Sequence, residues 1–475
     1  MSQTLTIPIT NVPDVTHDAW RHWIENAPAV TTSGGSGGGR VLLISYTFPP
    51  TGGSGVQRPA KLARYLPEFG WTVEVLAAGH ERFPWHDPSL LADVPSCCHV
   101  HRVAGWEPAC IARKTGRLLV NLTGKELPRI ENSLYWRLAR WADRVGLGNG
   151  ESLWVGPAAR AAVRRHRRQS FDAVISTGPP TFVHQVAARV AATTHLPWIA
   201  DVRDPFVSDH DRRKPDGRKL QTLLGLERRV LESADTVVTT CETLADDFRE
   251  RYPRSRIRAI TNGFDREDLL AALKKNATPS SADGSCTLIA AGSFYGQREL
   301  SGLVDALERV LGRHPAWRGR VRLVVAGTLD ARQRRRWETD RPEWMTLAGY
   351  LDHVSMISLV RSCACAVMIV PDCKHTRLCL PAKMFELIAL PVRVLGLVPP
   401  GSETEKRLLE AGDCTVAPYE HPERMATALE GVIAAHFARR LKAARDWPTL
   451  DGYDRRSIAA AWADCLAEVC RHHGR

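Results

Sequence analysis

Arg40 to Glu68 reads RVLLISYTFPPTGGSGVQRPAKLARYLPE. The apolar run Val41 to Ser45 predicts a strand, Pro49 to Val56 a proline and glycine loop, and Gln57 to Glu68 an amphipathic helix. A strand feeding a helix through a glycine turn is the repeating step of a parallel sheet with helices on both faces. The glycines let backbone come close to a ligand. Free amides at the helix start, near the carboxyl end of a strand, suit a phosphate or a sugar hydroxyl. The spacing is neither that of a Walker loop nor Gly-x-Gly-x-x-Gly, and a tight turn alone explains it equally well.

Working outward, the same grammar recurs. Strands are predicted at Thr72 to Ala77, Ala173 to Ser176, Trp198 to Val202, Thr236 to Thr240 and Arg258 to Thr261, with helices at Phe182 to Thr193 and Leu244 to Arg251. Residues 80 to 150 are irregular and rich in tryptophan, an insert suited to acceptor selection. The turn Asn262-Gly263-Phe264-Asp265 precedes a polar stretch, Lys274 to Ser285, that reads as a linker. Strands then restart at Thr287 to Ala291, Arg322 to Ala326, Ala366 to Val370 and Val392 to Leu395. The expected division is a flexible extension over 1–39, ending in the Gly/Ser tether Thr31 to Gly39; a first domain over 40–273; a linker over 274–285; and a second domain over 286–452. A final helix, 453–475, is expected to pack back on the first domain.

At 475 residues, 44% apolar and 24% charged, the chain is long enough for two cores and too apolar for disorder. No apolar run reaches the roughly 18 to 20 residues that cross a bilayer, and the amino-terminal residues lack a basic start followed by an apolar core, so the cytoplasm is expected. Twelve scattered cysteines without a Cys-x-x-Cys pair point to reduced thiols. Cys373, His375 and Cys379 cluster, but lack a fourth partner at zinc-like spacing, so no metal is expected. The net charge of +12, with the run Arg160 to Arg168 (RAAVRRHRR), favours an anionic partner; a solvated helix face is the plain alternative. Nucleic acid is disfavoured, because no recognition motif or ladder of aromatic and basic residues accompanies the charge.

The second domain repeats the loop device in Ala291-Gly292-Ser293-Phe294-Tyr295-Gly296, followed by Arg298. An arginine fork beside free amides suits a diphosphate and offsets charge building on a leaving phosphate. Pro381-Ala382-Lys383-Met384-Phe385-Glu386-Leu387-Ile388-Ala389 reads as a helix with Pro381 in its first turn. Lys383 and Glu386 are three apart and share a face, where the ammonium can meet phosphate oxygens and the carboxylate can accept the two hydroxyls of a ribose. A simple ion pair within the helix is the alternative.

Taken in order, Pro49 to Val56, Arg203-Asp204-Pro205, Asn262 to Asp265, Gly292 to Arg298 and Pro381 to Ala389 give the chain its resemblance to family 4 glycosyltransferases, which have the GT-B fold of two Rossmann-like α/β domains facing a cleft. The resemblance covers nearly all of residues 40 to 470. It implies retaining transfer from a nucleotide sugar without an obligatory metal or other cofactor, with Glu386 on the ribose, Arg298 and Lys383 on the diphosphate, and Gly53, Gly55 and Gly292 lining the donor site. Arg203 is expected as a second phosphate or acceptor contact, and Asp204 as the group that orients the acceptor hydroxyl or takes its proton.

The pattern is incomplete. Where the family often has a first glutamate, eight before Glu386, this chain has Leu378, with Asp372 or backbone near Cys379 as substitutes. Where many members place a histidine after the fourth strand, it has Ser176 to Pro180, and His184 is expected to be structural. The acceptor implied is a saccharide or lipid-linked saccharide of bacterial surface polysaccharide assembly, with the basic first domain at the inner face of the plasma membrane. A nucleotide-sugar epimerase and a silent nucleotide-sugar-binding protein remain as the other readings.

Overall fold

The computed structural model describes residues 15–32, 38–79, 87–105, 151–208, 217–275, 284–439 and 445–473. These form two compact α/β units. One comprises the described residues of Thr31–Val207, Pro215–Ile260 and Ala459–Arg475; the other comprises those of Met1–Val30, Ser208–Lys214 and Thr261–Ile458.

The first unit holds seven strands: β1 (Gly39–Ser45), β2 (Trp71–Ala78), β3 (His99–Val103), β4 (Ala173–Gly178), β5 (Trp198–Val202), β6 (Thr236–Thr239) and β7 (Ile257–Ala259), in the order β3-β2-β1-β4-β5-β6-β7. The second holds β8 (Cys286–Phe294), β9 (Val321–Leu329), β10 (Met345–Gly349), β11 (Cys365–Ile369), β12 (Arg393–Leu397) and β13 (Cys414–Ala417), in the order β10-β9-β8-β11-β12-β13. Each named strand pair is parallel, as helical crossovers require. Both sheets have the doubly wound order, whose direction reverses between β1 and β4 and between β8 and β11, the places where such sheets bind ligands.

Helices cover these sheets because their apolar residues recur on one face. In Ser301–Arg313 the buried Leu303, Val304, Leu307, Val310 and Leu311 fall at three- and four-residue spacings, and they pack into a core with Leu323, Val325, Val367, Leu395 and Leu429. Central strands such as β4, β5 and β11 are buried throughout, which explains why they are apolar apart from Ser176, Thr177 and Asp201.

The structure departs from the sequence reading in several places. The extension over 1–39 contains a helix, Val15–Glu25, that buries Trp20, Trp23 and Ile24 at helical spacing. The division between units falls at Ile260–Thr261, ahead of the expected linker, whose residues 276–283 lie outside the described ones. Its physical reason is pairing: Phe264 donates to the Tyr453 carbonyl and accepts from Arg455, which attaches the Asn262 to Asp265 turn to the segment before the last helix. That helix runs Arg455–His473, and from Ala459 onward it belongs to the first unit, where the Trp462 ring lies 5.4 Å from the Arg58 guanidinium. Of the 80–150 insert, residues 80–86 and 106–150 lie outside the described ones, and the remainder supplies β3.

The arginine run also divides. It forms the end of the helix Val155–Arg168, with Arg160, Arg164, Arg167 and Arg168 exposed, while Arg165 turns in to Glu74 at 2.8 and 3.0 Å. Glu74 is buried on β2 and is also met by Arg40 and, at 2.7 Å, by His101. Burial by itself would raise the Glu74 pKa, but the bonds from Arg165 and His101 outweigh it and hold the carboxyl at about 2, against an ordinary 4.5. With the folded value depressed, its stabilisation is complete above pH 4.5 and is lost as pH falls toward 2. Glu74→Gln is expected to cost about 3 kcal/mol in urea melts at neutral pH. The gap to wild type should close over that acidic range, and a gap that persists there would contradict this account.

Candidate functional site

At the reversal point of the first sheet, β1 leads to Gly53, which caps the helix Ser54–Tyr65 with φ 101° and no side-chain bond to its free amides. Gly55 follows in the first turn. Arg203, just past the end of β5, is buried, and its guanidinium donates to the carbonyls of Gly178 (2.7 Å), Gly55 (2.7 Å) and Pro179 (2.9 Å). Arg203, expected as a second phosphate or acceptor contact, ties together the loops that follow β1 and β4. Beneath it Arg58 grips the buried Asp201 carboxylate at 2.9 to 3.1 Å, and Thr177 donates to the same group at 2.7 Å. Asp204 stands next to this clasp, partly exposed.

His184 has the structural place expected of it. It is wholly buried, its Nδ1 lies 2.8 Å from Ser176 Oγ, and that hydroxyl accepts from the Trp198 indole at 2.8 Å. Burial pushes its pKa down to about 4, so the ring is neutral at pH 7.

The second reversal point gathers cations. Strand β8 continues through Gly292 to Phe294, where a loop was expected from Ala291, because Gly292 and Gly327 lie in register on β8 and β9, both at φ 127°. A Cβ on Gly327 would lie 1.9 Å from the Gly292 carbonyl, so the two strands approach this closely only without a side chain. A Cβ on Gly292 would sit 3.5 Å from Lys383 Nζ. Lys383, in the first turn of the helix Ala382–Ala389, donates to the Ala291 carbonyl at 3.1 Å. Pro381 is the cap of this helix, one position earlier than expected.

Arg298 donates to the Ser293 carbonyl at 3.3 Å, and its Nε is buried without a partner among the described residues. Burial, and then the Arg298 charge, pushes the Lys383 ammonium down to about 7; burial likewise lowers Arg298. Two partly buried cations thus share one strand end, each with a single carbonyl bond. Such an arrangement is compensated by an anion.

Glu386 lies one turn along the same helix. Its Oε1 is 3.4 Å from His353 Nε2, and Asp268 Oδ2 lies 3.4 Å from that same nitrogen, so the Glu386 carboxylate faces an imidazole while Lys383 turns to β8. Leu378 caps the short helix Lys374–Arg377. Asp372, weighed as a substitute for the missing glutamate, is held by Arg377 through two 2.6 Å bonds. Of the residues weighed as metal ligands, Cys373 Sγ lies 3.4 Å from Thr376 Oγ1, and Cys379 Sγ lies 3.8 Å from His375 Nε2.

The structure therefore brings Gly292, Arg298 and Lys383 together with Glu386 nearby in one unit, and Gly53, Gly55, Arg203 and Asp204 together in the other. Sequence reasoning missed His353 and Gly327. A signal existed for the glycine: Ala291-Gly292-Ser293 recurs as Ala326-Gly327-Thr328, and Thr328 donates to Ser293 at 3.0 Å.

Comparison with known proteins agrees with this architecture. Residues 52–263 match the model of the glycosyl transferase 4-like domain. No curated protein sequence matches the chain closely enough to count as a relative. Sucrose-phosphate synthase from Thermosynechococcus elongatus aligns at TM-score 0.59 and 15% identity over 91% of this chain and 99% of its own. The UDP-forming α,α-trehalose-phosphate synthase from Burkholderia xenovorans, in complex with glucose-6-phosphate, aligns at 0.58 and 13% over 91% and 100%. HepE of Anabaena, in complex with UDP-glucose, aligns at 0.54 and 11% over 92% and 98%. The fold is GT-B.

Arg203→Met would leave the carbonyls of Gly55, Gly178 and Pro179 without their donor. The expected cost is about 3 kcal/mol of stability in chemical denaturation. A loss under about 0.5 kcal/mol, in the range of ordinary surface changes, would show that the clasp is not what holds these loops.

Proposed function

We propose that this chain, glycosyltransferase family 4-like over residues 52–263 and GT-B in fold, moves a sugar from a nucleotide diphosphate donor to a saccharide or lipid-linked saccharide, with retention of configuration. The observation that carries the proposal is the pair Lys383 and Arg298, two partly buried cations with one carbonyl bond each at the reversal point of the second sheet. A donor diphosphate supplies the missing negative charge. The UDP-glucose held by HepE and the glucose-6-phosphate held by the trehalose-phosphate synthase support a nucleotide sugar as donor and a saccharide as acceptor.

In this reading Lys383, Arg298 and the backbone at Gly292 take the diphosphate, and Glu386 accepts the ribose hydroxyls. The bond from the sugar C1 to the phosphate oxygen breaks, and one from C1 to the acceptor oxygen forms. The cations stabilise the charge that builds on the departing phosphate, which serves the purpose of a metal and makes none obligatory. The acceptor belongs to the first unit, where Asp204 orients the attacking hydroxyl; its proton leaves with the phosphate or through Asp204. Arg203 holds those loops. The exposed Arg160, Arg164, Arg167 and Arg168 favour an anionic lipid surface, which suits a lipid-linked acceptor of bacterial surface polysaccharide. No described helix is long and apolar enough to cross a membrane.

A thermal-shift screen of UDP, GDP and ADP sugars is expected to find one donor that raises Tm, an effect absent in Glu386→Ala. Wild-type protein that responds to none of them would sink the proposal. Arg298→Ala should keep its fold and lose at least a hundredfold in kcat, consistent with the loss of one donor to developing charge; unchanged turnover would remove Arg298 from the diphosphate role. A stabilising donor that is never consumed with any acceptor would instead identify a binding protein.

Affinity should also depend on pH with a definite sign. Lys383 is charged below about 7, so donor binding is tightest there and weakens as pH rises through that value, by up to about tenfold per unit. Calorimetric titration with the nucleotide sugar from pH 6 to 9 measures this, and Lys383→Met should bind weakly with a flat profile. A flat profile in the wild type would contradict the assignment.

A further inference from the structure

The helix Ala382–Ala389 has only eight residues, yet it carries both Lys383 and Glu386. Its last carbonyls, and those of the turn that follows, point away from the strand end where Lys383 sits. A helix leaves its final carbonyls unpaired, and in an interior these need donors. Arg445 and Trp20 provide them. The buried Arg445 guanidinium donates to the carbonyls of Leu387 (3.3 Å), Ile388 (2.9 Å), Leu390 (2.5 Å) and Val392 (2.9 Å), and its Nε donates to Gly412 (3.1 Å). Trp20, fully buried in the helix Val15–Glu25, donates its indole N–H to the Ala389 carbonyl at 2.7 Å. A positive charge at this end of a helix also opposes the helix dipole favourably.

The two donors belong to one assembly. Arg445 lies 5.5 Å from the Trp447 ring, Trp447 stacks on Trp23 at 5.4 Å, and the Arg266 guanidinium covers the other tryptophan, Trp23, at 4.1 Å. Trp23 also donates to Asp451 at 2.8 Å. The amino-terminal helix, the segment 445–454 and the carboxyl end of the Ala382–Ala389 helix are thereby joined within one unit. We infer that Trp20 and Arg445 are positioning residues for the donor site: they clasp the carbonyl end of the Ala382–Ala389 helix and so set where Glu386, midway along it, and Lys383, in its first turn, stand. The inference rests on the function proposed above for those two side chains.

Trp20→Phe keeps an aromatic ring but deletes the indole N–H together with the second ring, and Arg445→Lys keeps the charge and deletes the fork. Hydrogen exchange on the full chain, read by mass spectrometry, tests the clasp without a ligand. Both variants are expected to lose at least tenfold protection at amides 385–390 while those of β8 and β9 stay as in the wild type. Calorimetry with UDP, GDP and ADP sugars then tests the consequence. The donor that the wild type binds should bind Trp20→Phe about five- to tenfold more weakly, with Tm lowered by no more than a few degrees.

Protection lost equally across the unit, or donor affinity unchanged in Trp20→Phe, would overturn the positioning role. Wild-type protein that binds none of the nucleotide sugars would overturn the function reading, and with it the donor-site part of the inference; the exchange pattern would then decide the clasp alone. Should Arg445→Lys fail to fold, Trp20→Phe decides the question.

Discussion

A parallel sheet cannot be closed by hairpins. Each strand must be returned by a crossover, so the carboxyl ends of all strands lie along one edge, and that edge opens wherever the strand order reverses. In this protein the constraint operates twice, once between β1 and β4 and once between β8 and β11. The residues proposed to act lie in the segments that leave those openings: Gly53 and Gly55 after β1, Arg203 and Asp204 after β5, Arg298 after β8, and Lys383 and Glu386 in the helix beyond β11.

The two openings are built from opposite electrostatic materials. In the first unit, charge is closed upon itself: Asp201 is satisfied by Arg58 and Thr177, and Arg203 by loop carbonyls. In the second, Lys383 and Arg298 stand over strand β8 with one carbonyl bond apiece, and Asp372 is held by Arg377. A neutralised opening suits a ligand recognised by hydroxyls, and an opening with unbalanced positive charge suits a diphosphate. This asymmetry is the physical basis for giving the acceptor to one unit and the donor to the other.

Much of this was legible in the sequence because the signals are local. Unbroken apolar runs such as Val41 to Ser45 mark buried parallel strands, and glycines before a helix mark its approachable start. The position of Lys383 in the first turn of a helix was legible from Pro381; its bond to β8 was not. What escaped depends on distant partners. The clasp of Arg203 could not be read because the carbonyls that engage it, Gly55 and Gly178, are remote in the chain. The pairing of Glu386 with His353 joins two helices across the unit, and Arg165 differs from its neighbours in the arginine run only because Glu74 lies beneath it. The helix Val15–Glu25 was obscured by the Gly/Ser tether after it, which shows that residues 31 to 39 are a connection and says nothing about what precedes them. Trp20, Trp23 and Ile24, at helical spacing, were the available clue.

The ends of the chain cross over between units. The amino-terminal helix belongs with the second sheet, and the last helix, from Ala459 onward, belongs with the first, where Trp462 covers Arg58. Neither unit is therefore a continuous stretch of polypeptide. During synthesis the first sheet emerges early but lacks the aromatic cover over its buried Arg58 and Asp201 pair until residues 459 to 473 have left the ribosome. The helix bearing Trp20 must likewise wait, unpartnered, for Ala389 and Asp451. Ordinary domain-by-domain maturation from the amino terminus gives way here to two cores that both wait for the stretch from Arg445 to His473.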